Sequence, residues 1–407
     1  MSFLGGVFGS KRKQFGEQAL AMVRARPGVV EARFNAGRFE IEFRTQDGMR
    51  GRIDLTVAYR RCRGATPTEA ARLLFEFVSI TPEYGANATH EEWMPRLRPL
   101  LRQAGGLDMR VEGQRVADHK LWRPVLPCLM EYVVIDQPTS MQNVHPAQLA
   151  EWGVDADTVF AAARGNLAEL AFDTLARYDP GTQGGMMHLP DTDGDLYAGS
   201  LPLVEGWLAG IGAKAGARPI VFVAENVGVL VGAEFSDQHV LRLLSVAREL
   251  FDNAVRPVSP VPYTVDAAGA LVPYRVERGH PAWREIRSAE STLAAQVYTQ
   301  QYEYLRADLA AGLIEDRAAQ LMHARKPDGS ETTFAAWTDT VPTLLPRAHT
   351  VTLTDVDTGE TFGLPWETLA DAVDLRPVEG IHPTRYRVVD HPDAQTMARL
   401  RTCARID

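Results

Sequence analysis

The run Ile220-Val221-Phe222-Val223-Ala224-Glu225-Asn226-Val227-Gly228-Val229-Leu230-Val231 holds two apolar stretches of strand length on either side of a polar pair. β-Branched residues dominate both stretches, and Glu225-Asn226 between them predicts an antiparallel hairpin. Neither stretch alternates with polar residues, so both faces of the hairpin are expected to be buried. Helices stand on either side in the sequence. One is expected over 201–208, ending in glycines. The other is expected over 236–254, with Ser236 as N-cap and an apolar stripe of Val240, Leu243, Leu244 and Ala247.

The same pattern repeats outward. Towards the N-terminus a strand is predicted over 129–135. Helices follow over 146–152 and 155–178, separated by Gly153-Val154, with Asp155 capping the second. A polar loop covers 181–199. Further back, a helix over 12–26 leads into Val29-Val30-Glu31-Ala32-Arg33-Phe34, a turn, and the alternating Phe39-Glu40-Ile41-Glu42-Phe43, a hairpin with one wet face. Thr66-Pro67-Thr68-Glu69 is a capping box that starts another helix. Residues 105–120 read as a Gly-bearing linker. Towards the C-terminus a helix over 288–311 precedes two hairpins, with turns at 326–331 and 357–360. A short helix after Pro365, a strand near 386–389 and a helix capped at Asp390 or His391 complete the chain. Strands joined by short hairpins with helices beside them specify an α+β fold, its antiparallel sheets flanked by helices, rather than a doubly wound one. Three modules are expected, at 1–120, 121–275 and 276–407.

The 407 residues are 45% apolar and 23% charged, the balance of a globular chain rather than a disordered one. No apolar run is long enough for a spanning helix, and the basic residues Lys11, Arg12 and Lys13 follow the apolar start, unlike a signal peptide. The net charge of -9 divides unevenly: +7 over 1–125 (21 basic, 14 acidic), -10 over 126–275 (8 and 18) and -6 over 276–407 (14 and 20). Electrostatic docking of the first module on the second is therefore expected. Nucleic acid is disfavoured, because the densest basic run, Arg60-Arg61-Cys62-Arg63, is short and makes no stripe. Cys62, Cys128 and Cys403 are odd in number and far apart, which points to reduced thiols and a cytosolic setting.

Motifs with a mechanism are mostly rejected. Asp191-Thr192-Asp193-Gly194-Asp195 opens like a calcium loop, but Leu196 and Pro202 stand where that loop needs Gly and a bidentate Glu. Gly210, Gly212 and Gly216 follow a helix and precede a strand, the wrong setting for a dinucleotide fingerprint, and read as helix termination. No phosphate-binding loop, His-Glu-x-x-His or Gly-x-Ser-x-Gly elbow occurs. No metal site and no cofactor are expected. His188 beside acids is the histidine best placed to shuttle protons, through a raised pKa. The catalytic role is unassigned, with His188, Asp195, Tyr197 and Ser200 as its candidates. Asn166, Asp191 and Asp193 are the candidates for ligand binding, Asn166 because an amide in mid-helix needs a buried partner or a cleft.

A series of short motifs carries a resemblance. Trp122-Arg123-Pro124-Val125-Leu126-Pro127, Tyr132-Val133-Val134-Ile135-Asp136 and Pro138-Thr139-Ser140-Met141 come first, then Leu149, Trp152-Gly153 and Asn166-Leu167. Asp195-Leu196-Tyr197-Ala198-Gly199-Ser200 and the 220–231 hairpin follow. In this order they are similar to the YtpQ-like family of bacterial proteins, a domain family of unknown function, over roughly residues 12–275. The chain departs from the family's pattern after Tyr197 and at Asn226-Val227-Gly228. The resemblance implies a bacterial protein and no activity. The leading expectation is a non-catalytic protein- or ligand-binding protein with a protein partner. Its rival is an enzyme or small-ligand binder using the polar loop 184–200.

Overall fold

The computed structural model describes residues 5–46, 48, 50–62, 64–79, 90–111, 113–137, 140–191, 197–226, 228–326 and 329–404. The fold is α+β, as the hairpins predict. Pro219–Phe222 and Gly228–Ala233 pair antiparallel and are buried throughout, so the opening stretch is a hairpin covered on both faces. They form the middle of a five-stranded sheet completed by Met187–Pro190 on one edge and by Tyr263–Val265 and Leu271–Pro273 on the other.

The helices follow their stripes, with three corrections. Ser236 caps Asp237–Asn253 by accepting from the His239 amide, as expected. The single helix expected over 155–178 is instead two, Ala156–Gly165 and Ala168–Arg177, because Asn166 closes the first as its C-cap. The helix expected over 201–208 is a 3-10 segment, Ala198–Leu203, followed by an α-helix, Trp207–Ala215. Gly210 and Gly212 lie inside that helix rather than ending it. A Cβ on Gly210 would meet Leu175 at 2.8 Å, and one on Gly212 would meet Pro219 at the same distance, so they allow close packing. Gly216, at φ 62°, is the true terminator. The last helix, Ala394–Thr402, is capped by Asp393, two residues beyond the later of its two expected caps.

The first unit is a three-stranded meander, Val29–Asn35, Glu40–Thr45 and Arg50–Asp54, under the helix Gly5–Arg24. Ala19, Leu20 and Val23 of that helix bury against Ile41, Phe43, Leu55 and Leu74 in a core of their own. The expected boundary at residue 120 is crossed by a sheet. Leu97–Gln103 pairs along its whole length with Leu129–Gln137, and Trp122–Leu126 pairs with the other edge of the same strand. The presumed linker 105–120 carries two short strands and a 3-10 turn, not open coil. The boundary at 275 is crossed too. The helix Trp283–Ala310 sends Ala289, Leu293, Val297 and Tyr298 into one apolar core that reaches from Leu101 to Leu400. The C-terminal sheets are antiparallel except at two pairings, Glu331–Thr338 with Thr350–Thr354 and Arg317–Ala318 with Thr343–Pro346.

Candidate functional site

The sequence candidates fall into three groups. Asp193 and Asp195 lie outside the described residues, as do Pro138 and Thr139. His188 sits on the edge strand opposite Leu230, with its side chain exposed. Its pKa is lowered rather than raised: loss of solvent around the ring outweighs the pull of Glu225. That removes the proton-shuttle argument made from its acidic neighbours.

The remaining four are bound into the fold. Asp191, 2% exposed, accepts the Tyr197 amide at 2.8 Å through Oδ2. This contact helps to hold Tyr197 in the left-handed region, φ 59°, a conformation costly for a residue with a Cβ. The Tyr197 hydroxyl donates to Asp136 Oδ1 at 2.6 Å, and burial, then Asp136, push its pKa up. Ser200, 1% exposed, donates its amide to the Tyr197 carbonyl and accepts the Leu101 amide on its Oγ. Asn166 donates through Nδ2 to the carbonyls of Met94 and Leu97, 2.7 and 3.0 Å away, where the edge strand 97–103 begins. These side chains fasten the 197–203 turn and the helix break to strand 97–103. Their polar atoms are spent on the protein.

A different group emerges from the face of that sheet. Alternation along the strands puts Arg98, Leu100 and Arg102 on the same face as Tyr132 and Val134, since Leu100 pairs with Tyr132 and Arg98 with Val134. The Lys120 ammonium lies 4.5 Å from the centre of the Tyr132 ring, and the Arg98 guanidinium 5.9 Å from that of Tyr197. Arg102 is half-buried. Its one hydrogen bond among the described residues goes from Nη1 to the Leu101 carbonyl, 2.8 Å away. Burial lowers its pKa; Tyr132 opposes that, Arg256 lowers it further, and the Asp54 carboxylate raises it. Burial alone would raise the Tyr132 phenol, but Lys120, Arg102, Arg256 and Arg52, in that order, outweigh it and lower its pKa. The potential at this hydroxyl is therefore positive, and partial burial leaves the charges around it weakly screened. Pattern reading of the sequence passed over the group because its members come from six separate segments.

The first unit meets this group through Arg256. Arg256 Nη1 meets Asp54 Oδ2 at 2.8 Å and its Nη2 meets Glu40 Oε2 at 3.5 Å. At this contact the signs are the reverse of those the module charges suggested: the cation belongs to the acidic segment and the acids to the basic one. The side chains of Arg60, Arg61 and Arg63 lie outside the described residues.

Two further constellations are structural. Glu131, fully buried, receives Arg123 at 2.7 Å and Arg164 at 2.8 and 2.6 Å, and Arg123 also stacks 4.0 Å over Phe160. Ser288, His323 and Glu331 meet, but Ser288 and His323 both contact the same Glu331 oxygen, at 2.8 and 3.2 Å. A nucleophilic triad needs the imidazole between the other two. The three cysteines are free, and burial pushes the Cys128 thiol up to about 12. Among the described residues no group of three or more His, Cys, Asp or Glu is placed to hold a metal, and no helix is long and apolar enough to cross a membrane. Compared with known proteins, the chain matches no family model, no curated protein and no solved structure.

Proposed function

We propose that this chain is a non-catalytic binding protein that takes an acidic segment of a protein partner onto the cationic group around Tyr132. The observation that carries the reading is Arg102: a half-buried guanidinium with a single backbone acceptor, beside Lys120 and a phenol whose hydroxyl has no protein partner among the described residues. A buried cation answered so sparsely gains most from an anion brought by a ligand. The hydrogen-bonded state of Asn166, Asp191, Tyr197 and Ser200 weighs against the rival site in loop 184–200, which keeps His188 as its free candidate among the described residues. A YtpQ-like membership over residues 12–275 and a cytosolic setting belong to the same reading and add no activity to it.

Titration with a fluorescent deca-glutamate peptide at low salt tests the proposal. Saturable binding is expected, weakening as salt rises and falling at least tenfold in Arg102→Ala and in Lys120→Met. Absence of saturation in the wild-type protein, or equal binding by both variants, overturns it.

A further inference from the structure

Two carboxylates of the first unit stand side by side in its sheet. In the pairing of strand 40–45 with strand 50–54, Glu40 lies directly opposite Asp54. Like charges facing each other across a sheet destabilise it unless a cation answers them. Glu40 is 6% exposed, so water screens its charge poorly. Within the unit Arg38 approaches it, but Nη1 stays 3.7 Å from Oε1, beyond hydrogen-bond reach.

The answering cation comes from outside the unit. Arg256 lies in the segment between helix 237–253 and strand 263–265. It offers one guanidinium nitrogen to each acid, 2.8 Å from Asp54 and 3.5 Å from Glu40. Asp54 is oriented for this contact. Its Oδ1 accepts the Thr56 amide at 2.8 Å, which leaves Oδ2 for the guanidinium. The Asp54 charge also reaches Arg102 and favours its cationic form. The acids of the first unit therefore draw on two of the cations that surround the Tyr132 hydroxyl, Arg256 and Arg102.

No shared apolar core backs this contact. Among the described residues, the cluster inside the first unit takes nothing beyond Val78, and none of the other clusters takes a residue from 5–79. Two folded units held together by charge, each with its own core, can part without either unfolding. A competing anion weakens such a contact directly. The Arg256 side chain remains 35% exposed, so a carboxylate from outside can reach it.

We infer that the first unit is an internal competitor: Glu40 and Asp54 hold Arg256 against the acidic partner segment, which displaces the unit when it binds. The inference rests on the reading of the Tyr132 group given above and adds its regulation. The unit brings two acids and one cation, Arg52, to that group. Its departure therefore leaves the group more positive, and an acidic segment that has displaced it is held more firmly.

Binding of the fluorescent deca-glutamate peptide to the full-length protein tests the inference. The double variant Glu40→Gln with Asp54→Asn, verified as folded by circular dichroism, should bind roughly fivefold more tightly than wild type. The control Glu31→Gln with Glu42→Gln changes the charge equally, at acids of the same sheet that pair with Arg44 and Arg33. It should bind within about twofold of wild type, because exposed pairs contribute little. In X-ray scattering, saturating peptide should enlarge the radius of gyration of the wild-type protein as the first unit moves away. Equal or weaker binding by the Glu40 and Asp54 variant overturns the inference and leaves the reading of the Tyr132 group in place. Equal tightening in the control, or an unchanged radius of gyration, does the same. Binding by none of the three proteins overturns that reading and the inference with it.

Discussion

Tyr132 differs from the other buried tyrosines in the sign of the potential around it. In Tyr197, Tyr263 and Tyr298 burial prevails and their pKa values rise. Tyr132 is held down by four cations. Tyr132 is therefore expected to ionise below the ordinary value of about 10. Absorbance at 295 nm during an alkaline titration reads it, and Lys120→Met should move that step upward. Wild type and variant titrating alike would show that Lys120 does not act on the phenol. Little of this was legible beforehand: Tyr132 stands in an apolar strand, and what marks it are Lys120, Arg102, Arg256 and Arg52, brought together only by folding. Asn166 is the opposite case. Its awkwardness in mid-helix was visible in the sequence, and its buried partners are there, although the helix ends at it instead of passing through.

At the scale of elements, Glu131 joins strand 129–137 to strand 122–126 through Arg123 and to helix 156–165 through Arg164. Removing the carboxylate leaves two guanidinium groups, each about two-thirds buried, without their anion. Glu131→Ala is expected to lower stability by about 3–5 kcal/mol, measured by urea unfolding. A loss below about 1 kcal/mol would mean that the guanidinium groups find water instead. Local pattern located the strand, the capped helices and the hairpins, because periodicity and caps act over a few residues. It placed a linker at 105–120 and boundaries at 120 and 275, because pairing of strand 97–103 with 129–137, and the reach of helix 283–310, are long-range choices made by packing. The parallel pairing of 331–338 with 350–354 was hidden for the same reason. A pair of strands read in isolation does not disclose its direction when another segment intervenes.

For the whole molecule, pH acts through histidines kept neutral. Burial lowers His349 to about 3 and also lowers His239 and His382. Each takes up a proton more readily when unfolded. Their contribution is thus complete above the ordinary histidine value of about 6.5 and is lost as pH falls below it. Asp108 and Glu290 act oppositely. Burial raises both carboxyls, so their retained protons favour the native state as pH approaches the ordinary carboxylate range. The histidine effect comes first on acidification: the urea midpoint is expected to be lower at pH 5.5 than at pH 7.5, with a smaller difference in His349→Gln. A midpoint that stays constant or rises between these values would contradict the assignment.

The apolar core running from Leu101 to Leu400 also fixes an order of events during synthesis. His382 bonds the Leu129 carbonyl across 253 positions, and Arg385 bonds the carbonyls of Ala319 and Leu344 and the side chain of Gln301. None of these contacts exists until residues 382–385 have left the ribosome. The first unit closes its own core with residues no later than Val78 and is complete early. The surfaces of the larger core that Val297, Leu345 and Leu400 cover stay open until those residues emerge. That interval is when a chaperone has the most to protect.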